Sequence, residues 1–127
     1  MVMIKLKSLL LENINLEVST FEKQLQLKYG KYLDQFHFYY DISNNSIFLT
    51  DIYIKANYMG KGFGTKIMKD LTQFADSKKL PIVLIPVSDS LKPNSGERLV
   101  GFYRRFGFIE NNGNTLFDDM GMYRLAR

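Results

Sequence analysis

Three glycines spaced two apart, Gly60, Gly62 and Gly64, have Lys61 between them and Lys66 just beyond. They lie between a strand-like run and a helix-like one. Glycine admits positive φ and lets a ligand come against the backbone. The first turn of a helix leaves amide N–H groups without intrahelical partners and carries a partial positive charge. Together these make an anion site suited to a phosphate or pyrophosphate, with the lysines adding charge at its rim. The order Gly64-Thr65-Lys66 does not fit GxxxxGK[ST], and Thr65 stands where GxGxxG from Gly60 needs its last glycine. On spacing alone, a tight turn without a ligand also fits.

Other chemistries are narrowed by what the sequence lacks. The 127 residues include no cysteine and one histidine, His37. Disulfides, a thiolate nucleophile and cysteine-rich zinc sites are excluded, and a histidine-based metal site or a Ser-His-Asp triad is hard to build. No metal site is expected. The net charge of +4 is uneven: residues 1–50 hold five lysines and five acids, while residues 51–127 hold twelve basic residues against eight acidic ones. A polyphosphate cofactor, a nucleic acid or ordinary solubilising charge each fits that excess.

The elements that must position the turn follow from periodicity. The length suits a single domain over 1–127, since domains commonly run to ~100–200 residues. Residues 1–18 fit either a short strand or a short helix. Ser19 to Glu22 resembles a capping box, which predicts a helix from about Thr20 to Gly30. Strands are expected at Phe36–Ile42 and Ser46–Ile54, joined by Ser43-Asn44-Asn45 as an antiparallel hairpin. Phe36, Phe38, Tyr40 and Ile42 then share one face, with His37 on the other. Ile67, Met68, Leu71, Phe74 and Ala75 form one helical stripe, ending near Ser77–Lys79. Ile82–Val87 reads as a strand buried on both faces. A polar loop leads to a helix over Glu97–Phe106, and strands at Phe108–Asn111 and Leu116–Leu125 turn at Asn112–Asn114. The strand–helix–strand crossover makes its outer strands parallel, giving a mixed sheet with helices on both faces. No apolar run approaches the ~18 residues of a membrane span, and Lys5 and Lys7 interrupt the first apolar stretch, unlike a signal peptide. A cytoplasmic location with no membrane partner is expected.

The stretch Ile52 to Met68, with Met59-Gly60-Lys61-Gly62-Phe63-Gly64 at its centre, resembles the acetyl-CoA motif of the GNAT superfamily of N-acetyltransferases, in which a strand runs into an [RQ]xxGx[GA] turn and an amphipathic helix. Gly101-Phe102-Tyr103-Arg104-Arg105-Phe106-Gly107-Phe108 resembles that family's FYxxxGF segment, one helix and one strand further on. The likeness covers about Ser46 to Arg127. It implies an α/β (α+β) fold: a mixed, mostly antiparallel twisted sheet flanked by helices, with central parallel strands splayed around coenzyme A. It also implies acetyl-CoA as co-substrate, its pyrophosphate held by Met59, Gly60, Lys61, Gly62, Phe63, Gly64 and Thr65. The pantetheine arm would pair with Ile52, Tyr53 and Ile54. Tyr103 matches the tyrosine that often protonates the departing thiolate. Met59 stands where the family usually has Arg or Gln. An asparagine often lies seven residues before the tyrosine; that place is Gly96 here, and the nearby Asn94 is the candidate to fill it.

An acceptor amine of lysine type, with a pKa near 10.4, must lose a proton before attack. Asp51 or Glu97 is the candidate base. Asp51 reaches the required face only if a bulge intervenes, because strand side chains alternate. The leading reading is an acetyl-CoA-dependent N-acetyltransferase acting by direct transfer on a small-molecule or protein amine, as a monomer or a homodimer. The alternative is a non-catalytic coenzyme A- or protein-binding module of the same fold. A nucleic-acid binder comes third, since no helix-turn-helix, RNP or zinc-ligand pattern is present.

Overall fold

A computed structural model describes residues 2–86, 95–111 and 121–127. The chain opens with helix α1 (Val2–Tyr29) and a 3₁₀ turn at Gly30–Tyr32. Strands β1 (Leu33–Asp41) and β2 (Ser46–Ile54) form a hairpin. Then come α2 (Phe63–Ser77), β3 (Ile82–Leu84), α3 (Ser95–Arg104), β4 (Ile109–Glu110) and β5 (Met122–Arg124). One sheet results, in the order β1-β2-β3-β5-β4, parallel between β2 and β3 and antiparallel elsewhere. This is the mixed, mostly antiparallel α/β architecture that the motifs imply. No helix among the described residues is long and apolar enough to cross a membrane.

The first helix departs from expectation. It runs unbroken through Ser19, so no capping box forms there. Its core-facing line is Leu11, Ile14, Val18, Phe21 and Leu25, spaced three and four apart as a helix requires. A second set of apolar residues, Leu9, Leu10, Leu16 and Leu27, is exposed and blurs the periodicity. Phe21 stacks on Phe74 of α2 with centroids 4.1 Å apart and tilts against Phe38 of β1. The two helices therefore lie side by side on the sheet face that carries Phe36, Phe38 and Tyr40. Ile42 leaves that face, because β1 ends at Asp41 and Ile42 sits exposed in the turn.

Glu22, expected to close a capping box, instead serves the sheet. Its Oε2 accepts the Phe38 N–H at 2.9 Å, and Gln26 Nε2 donates to the Phe36 carbonyl at 2.8 Å. Both backbone groups point to the open side of β1. The helix thus supplies the partners that another strand would, which blunts an edge otherwise open to pairing. His37 is exposed beside them, its Nδ1 3.7 Å from Glu22.

The register of the hairpin decides where the sheet opens. His37 pairs with Asp51, yet Phe38 pairs with Leu49, so Thr50 is an extra residue in β2. Its hydroxyl donates to the His37 carbonyl at 2.9 Å. The parity of the strand changes there: Ile47 and Leu49 face the core before the bulge, and Ile52 and Ile54 pack against it afterwards. Parallel pairing to β3 covers only Ile47–Leu49 against Ile82–Leu84 and stops where the bulge begins. The strand expected to reach Val87 accordingly ends at Leu84, with Ile85 half-exposed; Val87 lies outside the described residues. Helix α3 begins and ends two residues before the expected Glu97–Phe106. The first closing strand is shorter than expected, the second is described only at Met122–Arg124, and residues 112–120, which hold the expected turn at Asn112–Asn114, are outside the described residues.

A partly buried ion pair closes the far end of α2. Arg124 of β5, 5% exposed, donates to both carboxylate oxygens of Asp76 at 2.8 and 3.0 Å and to the Phe106 carbonyl. That bidentate grip ties α2 to the end of the sheet.

Candidate functional site

Where β2 and β3 part, a cleft of ≈ 770 Å³ opens. It is lined by Leu49 to Ile54 with Leu84 and Ile85, by the glycine turn and by residues of α3 and its terminal turn. The size falls in the range of small-molecule and cofactor sites, roughly 300–1,000 Å³.

The glycine turn is built from two conformational glycines and one packing glycine. Gly60 and Gly62 have φ of 76° and 85°, values that side-chain-bearing residues rarely adopt. Gly62 is the N-cap of α2 and no side chain caps that end. The amides of Phe63, Gly64 and Thr65 therefore open the helix with no intrahelical acceptor. Gly64 has ordinary φ; a Cβ there would lie 3.3 Å from Phe102 Cζ, so its role is to admit α3. An aromatic anchor fixes the turn from beneath: Phe63 stacks on Tyr32 at 3.8 Å, and Tyr58 meets both rings edge-on.

The predicted residues come together with few exceptions. Ile52, Tyr53, Ile54, Met59, Gly60, Gly62, Phe63, Gly64 and Thr65 all line the cleft, as do Asp51 and Tyr103. Lys61 does not; its ammonium lies 5.9 Å over the Tyr58 ring. Glu97 is exposed on the first turn of α3 and is not part of the lining. Asn94 lies outside the described residues.

Tyr103 is 5% exposed and packs against Phe102 and Phe108. Burial, and secondarily the neighbouring Tyr53 phenol, push its pKa up to about 12. The group is therefore a neutral donor throughout the physiological range. Asp51 follows the Thr50 bulge and lines the cleft. Gln35 Nε2 donates to its Oδ2 at 3.3 Å, while its buried Oδ1 has no hydrogen-bond partner among the described residues. Such an orphaned acceptor costs free energy unless something fills its place.

Sequence reasoning missed Thr50, Tyr58, Arg98, Phe102 and Arg105 as lining residues. The one available signal was the spacing of Arg98, Phe102 and Arg105 at i, i+4 and i+7, which places them on one helical face. Nothing local marks Thr50 as a bulge.

A family model described as an acetyltransferase (GNAT) domain matches residues 22–110, more than half of the chain. No curated protein matches it.

Proposed function

This chain belongs to the GNAT acetyltransferase family, and from that premise we propose that it moves an acetyl group from acetyl-CoA to a primary amine by direct transfer. One observation carries the reading: a single cleft is lined both by the residues that open α2 with free amides and by a buried, neutral tyrosine. The amides of the glycine turn bind pyrophosphate. The pantetheine arm pairs with the β2 backbone at Ile52–Ile54, which the splay has released from β3. Backbone donors there polarise the thioester carbonyl as negative charge develops on its oxygen.

Asp51, which lines the cleft, accepts the proton of the incoming ammonium. The neutral amine attacks the carbonyl carbon, the nitrogen of the tetrahedral intermediate gives its second proton to water, and the intermediate collapses to the amide as the C–S bond breaks with its electron pair on sulfur. Tyr103 donates its O–H to the departing sulfur. An ordinary alkyl thiol titrates near 8.5, so full transfer from a phenol at about 12 is uphill. Tyr103 thus acts chiefly by hydrogen bonding to the thiolate, with the same apolar walls raising the basicity of that sulfur.

The test is thiol release from acetyl-CoA against polyamines, aminoglycosides, amino acids and lysine peptides. Thiol release with at least one class supports the transferase. Thermal stabilisation by acetyl-CoA with no thiol release across the panel would assign the chain to coenzyme A binding without catalysis.

A further inference from the structure

Five arginines lie among the described residues, and they differ in how they are committed. Arg104 and Arg124 are paired with Glu110 and Asp76, and Arg127 lies against Gly107. Arg98 and Arg105 have no carboxylate partner among the described residues, and both line the cleft. They are seven residues apart, with Phe102 between them on the same face of α3 and its terminal turn. The guanidinium of Arg105 lies 5.3 Å over the Phe102 ring, and that ring reaches Gly64 in the first turn of α2. One aromatic ring therefore separates Arg105 from the free amides.

The remaining cations near the turn are directed elsewhere. Lys61 lies over Tyr58 and Lys66 over Phe63, and neither lines the cleft. Met59, which does line it, carries no charge. The two guanidiniums are the only cationic side chains in the described lining. They share that lining with the turn whose unpaired backbone donors already favour an anion.

We propose that Arg98 and Arg105 form the phosphate grip of this chain, clamping the anionic end of coenzyme A against the amides of α2. The assignment rests on the coenzyme A reading of the cleft. Guanidinium matches phosphate with paired N–H donors, and such charge-assisted contacts outlast single neutral ones. Phe102 holds the Arg105 plane in place and lowers the entropy lost when it closes on the ligand.

The experiment measures binding of two probes to the full chain: acetyl-CoA and S-acetylpantetheine, which lacks every phosphate. Arg98→Gln and Arg105→Gln each weaken acetyl-CoA by about tenfold and leave S-acetylpantetheine unchanged. Arg105→Lys recovers part of the loss. Acetyl-CoA affinity that is unchanged in both variants overturns the grip while leaving the transferase reading intact. An equal fall for both probes also overturns it, since the arginines would then be supporting the fold. Failure of the unmodified protein to bind acetyl-CoA removes both proposals.

Discussion

Replacing Tyr103 by Phe separates the chemistry of its hydroxyl from the packing of its ring. The ring stays among Phe102 and Phe108, so the core keeps its volume. Turnover should fall by roughly 100-fold or more, the usual range for losing one hydrogen-bond donor to charge that develops in the transition state, with acetyl-CoA affinity nearly unchanged. A second consequence is independent of any substrate. The phenol pKa rises from 10.0 to about 12 on folding. Its contribution to stability is therefore complete below the unfolded value near 10 and is lost as pH climbs through the folded one. Two pK units correspond to roughly 3 kcal/mol at ~1.4 kcal/mol per unit. Denaturant unfolding of both proteins between about pH 9 and 12.5 should show the unmodified chain losing about that much relative to Tyr103→Phe. Tyr29 and Tyr40 are also shifted upward, chiefly by burial, but they are common to both proteins and cancel in the difference. Parallel stability curves across that window would mean that the phenol is not buried as described. Unchanged turnover would take Tyr103 out of the reaction.

Substitutions at four other positions test separate parts of the structure. Gly62→Ala meets no neighbouring atom but must adopt φ of 85°, so it should cost about 1–2 kcal/mol in unfolding measurements and weaken acetyl-CoA binding. Gly64→Ala keeps an ordinary backbone and instead presses on Phe102, so its effect should vanish in a Phe102→Leu background. Asp51→Asn should cut thiol release about 100-fold at neutral pH with little change in acetyl-CoA affinity, and equal turnover would exclude it as the base. Asp76→Ala strands the buried Arg124 and should cost about 3 kcal/mol of stability. The Arg124 hydrogen bonds hold the Asp76 carboxyl below its ordinary 3.8. Its stabilisation is therefore present above that pH and lost as acid titrates through the lower folded value. Asp76→Asn should flatten that acid limb in a pH series of melting temperatures.

How legible each part was depended on how local its cause is. The glycine turn and α2 could be read because left-handed glycines, a missing cap and an apolar stripe are all written within about twenty residues. The hairpin was readable for the same reason. Helix α1 was not, because Leu9, Leu16 and Leu27 add a second apolar face and hide the period of Val18, Phe21 and Leu25. Glu22 looked like a capping residue because its spacing from Ser19 fits one; only the open edge of β1 gives it another role. Arg98 and Arg105 enter the cleft because Phe102 seats against Gly64, a contact between segments far apart in the chain. Lys61 sits in the turn by its place in the sequence, but its side chain lies over the Tyr58 ring and outside the cleft lining, a position set by a ring that sequence spacing does not reveal.

Counting along β2 shows what Thr50 does. A strand that obeyed strict alternation would carry Asp51 and Tyr53 inward along with Ile47 and Leu49, and would send Ile52 outward. One supernumerary residue moves the count by one, so the same nine-residue strand begins as structural wall and finishes as cleft lining. Its first part is held by β3, and its last part has backbone groups to offer a guest. The site thus owes its existence to an error of phase written into a single strand.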